Sequence, residues 1–314
     1  MLTRQRWIGV VLVLVVVSAF TFERDRAESV AVVVKVTGKV EVQRGNGKPL
    51  PAAAGLALQA GDKVVVQTGD KVIVMYKTGQ MQTVAQSLTI AEPERKETGS
   101  LYTRTVSTIT QVASTDAARQ PNRQGMIRPV EGSPGAISPR NAIVILDVRP
   151  TLVWFKLPAA SDYMVQLQRT DIAGLKPVRF QARSDTSWSY PTSAPPLIPG
   201  ATYEWTVAAK GSRVAKTEKF RVITGDQFSR IATLMEDLQS AGIDPWTDGL
   251  FILSLAYRDA GLMYEANSAL ARMAASGDGI GKVYHLLRGE VLDALGDLEG
   301  ASREFKAADT ENGA

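Results

Sequence analysis

The 314-residue chain contains no cysteine. Disulfides, thiolate metal sites and a cysteine nucleophile are therefore excluded. Lipid attachment through the cysteine of a bacterial lipoprotein signal is excluded with them. Histidine is almost missing too. His285 is the single one, so a His-rich metal site cannot form and a Ser-His-Asp triad would have to use that residue. Its neighbours Val283, Tyr284 and Leu286 place it one turn inside a helix, where a packed or capped imidazole is the ordinary reading. No nucleophile motif occurs, and no Asp/Glu pair stands in a recognisable catalytic context. The residues therefore point to a non-enzyme without a cofactor or metal. No dense basic block appears either, which argues against nucleic acid as a partner.

What is present is a globular composition, with 45% hydrophobic and 22% charged residues. The length suits two or three domains. Charge is unevenly spread. Residues 1–225 hold 29 Lys+Arg against 17 Asp+Glu, and residues 226–314 hold 7 against 15. Such a split predicts separate domains with different surfaces.

Arg4 and Arg6 precede an uncharged run from Trp7 to Phe22, which Glu23, Arg24, Asp25 and Arg26 end. A charged start, an apolar middle and a polar stop make a secretory signal or a signal anchor. The arginines set the N-terminus inside and the remainder outside. The run would span roughly 24 Å as a helix, short of a bilayer's hydrocarbon core. It is expected to stay as an inner-membrane anchor with the bulk of the chain in the periplasm. Cleavage near Val17-Ser18-Ala19 would instead release the chain there. Residues 1–27 are assigned to this segment.

Residues 28–92 read as a small all-β domain. Val30 to Val36, Val40 to Arg44, Val64 to Val66, Val72 to Tyr76 and Leu88 to Ile90 are short apolar or alternating runs between Gly-containing turns. Gly38-Lys39-Val40-Glu41-Val42, Leu58-Gln59-Ala60-Gly61-Asp62, Thr68-Gly69, Thr78-Gly79 and Ser87-Leu88-Thr89-Ile90 stand in the order of the FecR-like domain, which this region resembles. The resemblance implies an envelope module that binds a ligand, either peptidoglycan or another polysaccharide, or a protein. The family's best-known regulators hold a sigma factor through a cytoplasmic segment. Only six residues precede the apolar run here, too few for such a segment. Asp62 and Asp70 read as turn residues rather than catalytic acids.

Residues 93–140 read as a flexible linker. Leu101 to Val112, rich in Thr and Ser, is open to one more strand or a short helix against the first domain. Residues 141–224 give seven strands: Ala142 to Leu146, Thr151 to Phe155, Tyr163 to Arg169, Val178 to Ala182, Ser187 to Tyr190, Tyr203 to Ala209 and Lys219 to Thr224. Seven strands in this length predict a β-sandwich. Pro150-Thr151-Leu152-Val153-Trp154 and Leu197-Ile198-Pro199-Gly200-Ala201-Thr202-Tyr203-Glu204-Trp205-Thr206-Val207 resemble the fibronectin type III, immunoglobulin-like class. In that class the tyrosine hydroxyl pins a corner. Trp154, Tyr163, Tyr203 and Trp205 are expected in the core.

From residue 225 to 314 the apolar period becomes helical. Phe228, Ile231, Leu234, Met235 and Leu238 form one stripe. Leu250, Leu253, Ser254, Tyr257, Gly261, Ala266, Leu270 and Met273 recur 35 residues later as His285, Arg288, Gly289, Leu292, Gly296, Ala301, Phe305 and Ala308. The spacing resembles the tetratricopeptide (TPR) repeat. That resemblance implies all-α helical repeats with a concave, peptide-binding face bearing Phe251, Leu255, Arg258, Asp259, Glu290 and Asp293.

The chain is thus expected to be multidomain: membrane segment, FecR-like β domain, fibronectin-like β-sandwich and TPR-like helices. Its expected role is a non-enzymatic envelope scaffold that binds protein partners. An envelope signal-sensing receptor is the alternative. A cell-wall hydrolase stands behind both, for want of a catalytic motif.

Overall fold

The computed structural model describes residues 29–92, 100–114, 136–157, 160–183, 186–212, 214–277 and 279–310. The apolar run Trp7 to Phe22 and the family of inferences drawn from it lie outside the described residues. Among those described, no helix is long and apolar enough to cross a membrane.

The first eight strands are β1 (Ser29–Thr37), β2 (Val40–Gln43), β3 (Leu50–Pro51), β4 (Ala57–Gln59), β5 (Lys63–Val66), β6 (Lys71–Tyr76), β7 (Met81–Val84) and β8 (Leu88–Thr89). They form two four-stranded sheets, ordered β4-β1-β6-β7 and β3-β2-β5-β8, with antiparallel pairing throughout. The turns use the Gly-Asp pairs as turn chemistry. Gly38 takes φ +81°, and Asp70 accepts the Lys39 N–H beside it at 2.9 Å. Asp62 is buried and accepts from the Gln59 N–H at 2.9 Å and from Arg44 Nη2 at 2.8 Å. Its carboxylate holds the Arg44 guanidinium above its ordinary pKa.

β1 and β6 are apolar on both faces, so each needs cover on both sides. Ala31, Val33, Val72 and Val74 point into the core between the two sheets. Val32, Val34, Ile73 and Met75 point the other way and join the core of the helices. A bulge between Val33 and Lys35 then resets the alternation. Lys35 therefore faces the helical side, where its ammonium pairs with Asp248 at 2.9 Å.

The segment expected to be a flexible linker contains two ordered elements. Helix α1 spans Ser100–Ala113, and β9 spans Ala136–Ser138. β9 belongs to the second sandwich, so that domain begins upstream of residue 141. It continues with β10 (Val144–Ile145), β11 (Thr151–Trp154), β12 (Asp162–Arg169), β13 (Val178–Arg183), β14 (Ser187–Ser189), β15 (Thr202–Ala209) and β16 (Ala215–Val222). A three-stranded sheet, β14-β11-β9, faces a five-stranded one, β10-β16-β15-β12-β13. Trp154, Tyr163 and Trp205 fill the space between them, each at most 1% exposed. Trp205 Nε1 donates to the Pro139 carbonyl at 2.7 Å. Tyr203 Oη accepts the Ile198 N–H at 3.0 Å, which pins the corner before β15.

Five helices complete the chain: α2 (Gly225–Ser240), α3 (Leu250–Ala260), α4 (Met263–Ser276), α5 (Lys282–Leu295) and α6 (Leu298–Thr310). Thr224 and Gln227 make a capping box at the start of α2. Gly261 and Gly296 adopt the left-handed conformation at the ends of α3 and α5, so α3–α4 and α5–α6 fold back as hairpins. Ala266 and Ala301 are fully buried where the paired helices touch. Phe228, expected on the apolar stripe of α2, is instead 54% exposed.

Gly289 tests this packing. A Cβ there would lie 2.4 Å from the buried Phe305 ring. Gly289→Ala is expected to cost about 1–3 kcal/mol by overpacking. Gly225→Ala has open space around it and should leave Tm unchanged or slightly raised. Thermal unfolding of both variants checks the contrast.

Candidate protein-docking groove

Helix α1 turns a stripe of Tyr102, Thr105, Thr108, Ile109 and Val112 inward, at the spacing of one helical face. The stripe packs on α3 and α5. Half of the 14 residues in α1 are β-branched, a composition with poor intrinsic helix propensity. Its helicity therefore depends on what it packs against. Three side-chain bonds fix its seat. Thr108 Oγ1 donates to Asp259 Oδ2 at 2.6 Å. Arg258 Nη1 donates to Gln111 Oε1 at 2.8 Å. At the other end Tyr102 Oη donates to the Ser29 carbonyl at 2.9 Å, where β1 begins.

Arg258 is the hub. Its guanidinium also reaches Glu290 Oε2 on α5 at 2.9 Å and Asp259 Oδ1 at 3.0 Å, so one side chain ties α1, α3 and α5. Burial alone would lower its pKa, but the bonds to Asp259 and Glu290 more than offset this and raise it.

The residues predicted for the concave face divide. Leu255, Arg258, Asp259, Glu290 and Asp293 do gather along the seat of α1 and line two openings beside it. On the α2 side is a cavity of about 200 Å³, walled by Leu101, Thr105, Ile231, Leu234, Ile252 and Leu255 among others. On the α5–α6 side is a cleft of about 620 Å³, walled by Thr108, Gln111, Arg258, Asp259, Glu290 and Asp293 among others. Phe251 does not join them. It is 2% exposed in the core and lines neither opening. The preceding residues explain why: Leu250 to Leu255 are all buried, so α3 is enclosed on nearly every side, and Ile252, Leu255, Arg258 and Asp259 are among the α3 residues that line the openings beside α1, with Phe251 turned away from them.

Sequence reasoning missed the α2 wall, Ile231 and Leu234, and the occupant α1. Ile231 and Leu234 carried a signal in their helical spacing, but nothing tied that stripe to the groove. α1 was hidden by its threonines, which read equally as strand.

His285 is packed as expected, with Nδ1 2.7 Å from Glu304 Oε2. Among the described residues no three His, Cys, Asp or Glu side chains are grouped to hold a metal. Glu265, in the first turn of α4, is the carboxyl that burial perturbs: desolvation raises its pKa, and its Oε2 is enclosed without a hydrogen-bond partner. A raised carboxyl can mark a catalytic acid. Burial first, and the charge of Glu265 after it, raise the pKa values of Tyr257 and Tyr264, and Glu265 lines neither opening beside α1.

No family model matches the chain, and no curated protein matches it in sequence. Among solved structures the chain is similar to the crystal structure of chicken CNTN1 FN1-FN3 domains. The identity is 11%, over 60% of this chain and 54% of that one, with a TM-score of 0.22. A likeness this distant leaves the architecture to be argued from strand pairing alone.

Two outcomes follow from these side chains. Arg258→Ala removes the link between α1, α3 and α5 and should cost about 2–3 kcal/mol. Amide exchange in α1 should accelerate more than in α4. For Glu265 the folded pKa is raised, so the fold favours the protonated form. Its contribution is most favourable below the unfolded value and is lost as pH rises through the folded one. Glu265→Gln should therefore match wild type at about pH 4 and exceed its Tm near pH 7. Tm measured across that range decides it.

Proposed function

We propose that the chain is a non-enzymatic scaffold of the bacterial cell envelope that binds protein partners through its C-terminal helices. The observation that carries this reading is the groove itself: α3 and α5 accept an amphipathic helix, α1, along the edge where partner contact was expected. The hairpins α3–α4 and α5–α6, with glycine turns and buried Ala266 and Ala301, support a TPR-like reading of this region. The pairing β14-β11-β9 against β16-β15-β12-β13 and the Tyr203 corner support a fibronectin-like sandwich acting as a spacer. The two small antiparallel sheets and their Gly-Asp turns suit a FecR-like module, with peptidoglycan or another polysaccharide as its envelope ligand. Location in the periplasm, anchored through residues 1–27 or released from them, rests on the charge and length of that segment.

A receptor is the second reading, and one bond favours it. Tyr102 of α1 donates to Ser29, the first residue described after the apolar run, so the state of α1 is linked to the strand nearest the membrane. Replacing residues 1–22 with an unrelated anchor should abolish output from a receptor and spare a scaffold.

The test of the scaffold is affinity capture from solubilised envelopes, using wild type, Asp293→Arg in the groove and Lys210→Glu on the exposed sandwich surface. Asp293→Arg should lose partners that wild type and Lys210→Glu retain. The same set captured by all three, at unchanged Tm, overturns the reading.

A further inference from the structure

We infer that α1 is a built-in occupant of a helix-binding groove, and that a partner's amphipathic helix with a basic residue turned to the acidic cleft competes with it for the seat. The inference rests on the scaffold reading and adds the partner's chemistry and the means of regulation.

The fit of α1 is the first reason. Its stripe enters the groove, yet openings of about 200 Å³ and 620 Å³ remain on its two flanks. Thr105, 5% exposed, lines the smaller opening at a position where a bulkier apolar side chain would bury more surface. A helix with a larger residue there would fill what α1 leaves open on that flank.

The second reason is the helix itself. It has no acidic residue in its first turn and no basic one in its last, and half its residues are β-branched. A helix of this length is marginal when isolated, so undocking and loss of helix are expected to occur together. Such a segment is held by contact, not by its own propensity.

The third reason is charge. The wider cleft is rimmed by Asp259, Glu290 and Asp293, with Arg258 as the cation among them. Toward this rim α1 presents Ser107, Thr108 and Gln111, all neutral. The helical region as a whole carries 15 Asp+Glu against 7 Lys+Arg. A lysine or arginine in place of Thr108 would gain an ion pair that α1 forgoes. α1 holds the seat by tethering, since an attached ligand acts at an effective concentration near the millimolar range. A free helix must overcome that advantage through better contacts, and so the seat discriminates.

The test uses the full-length chain and two labelled synthetic peptides: residues 100–113, and the same peptide with Thr108→Lys. Binding is read by fluorescence anisotropy. Two variants loosen α1 in cis. Ile109→Asp with Val112→Asp removes its apolar anchors. Thr110→Pro breaks the helix from its exposed side and leaves the groove wall intact. Both variants should bind the native peptide at least about tenfold more tightly than wild type, because the competent state is no longer self-occupied. The lysine peptide should bind about two- to fivefold more tightly than the native one, and Asp259→Asn should erase that margin. Folded variants that bind no better than wild type overturn the inference, as does a lysine peptide with no advantage. If neither variant folds, hydrogen exchange on wild type decides. Exchange of α1 ahead of α3 supports a displaceable occupant, and exchange together with α3 overturns it. Peptide binding without envelope capture sinks the scaffold reading alone, and envelope capture without peptide binding sinks the competing-helix inference alone.

Discussion

Two strands with apolar residues on both faces set the arrangement of the whole molecule. β1 and β6 cannot be satisfied by the small sandwich they belong to, because that sandwich covers one face only. Val32, Val34, Ile73 and Met75 are left over, and the helices supply the missing layer. The junction is close. The Ala54 N–H donates to the Gly279 carbonyl at 2.9 Å. Gly55, at φ +86°, lies so near Val283 that a Cβ would stand 2.9 Å from its side chain. On the other side the Val144 N–H donates to the Gly261 carbonyl at 3.2 Å, and Asn141 Nδ2 donates to the Ala294 carbonyl at 3.0 Å. The helices are therefore the hub, and both β regions are built onto them.

That hub explains why α1 lies where it does. Its residues follow the last strand of the first domain and precede the first strand of the second, so it passes the helices on the way. Tyr102 reaches back to β1, and Thr108 and Gln111 reach α3. One helix of poor intrinsic propensity thus touches β1 and the groove at once. Its gain comes from burying one stripe, and its two polar bonds to α3 fix register more than they add stability.

Much of this was legible in the residues, and the exceptions have physical causes. Seven of the eight strands of the second sandwich were readable because turn glycines and prolines punctuate alternating runs, and β9, three residues in the stretch assigned to linker, was not. The helical hairpins were readable because Gly261 and Gly296, Ala266 and Ala301 hold positions that only small residues fit. β3, β4 and β7 escaped because Leu50–Pro51, Ala57–Gln59 and Met81–Val84 are too short or too polar to show a period. α1 stayed open between strand and helix because threonine suits both, and only the groove decides between them. The resemblance to the helical repeat put six residues on one face, and Leu255, Arg258, Asp259, Glu290 and Asp293 lie together along the seat of α1. Phe251 does not, because spacing gives the face of a helix relative to an ideal array, and here α3 is enclosed by sheet, α1 and neighbouring helices together. The run Val30 to Val34 held one clue to the assembly: an uninterrupted apolar strand asks for two covering layers, and a free-standing small domain has only one to offer.

The charge division takes on a different sense once the parts are seen in contact. A basic N-terminal portion and an acidic helical portion would suit two independent surfaces, but some of that charge is spent internally. Lys35 pairs with Asp248 across the junction. Arg140 Nε donates to the Leu295 carbonyl at 2.9 Å, at the C-terminal end of α5 where the helix dipole favours a cation. Both contacts lie on the side where β regions already cover the helices. On the groove side Asp259 is paired with Arg258 within the helices, and toward the cleft lined by Asp259 and Asp293 α1 presents Ser107, Thr108 and Gln111. Contacts to the β regions are thus reinforced by cations from outside the helices, whereas at the seat of α1 the cation, Arg258, comes from the helices themselves and α1 adds only hydroxyl and amide groups to the cleft, so a basic residue from a partner would bring a charge that α1 does not place there.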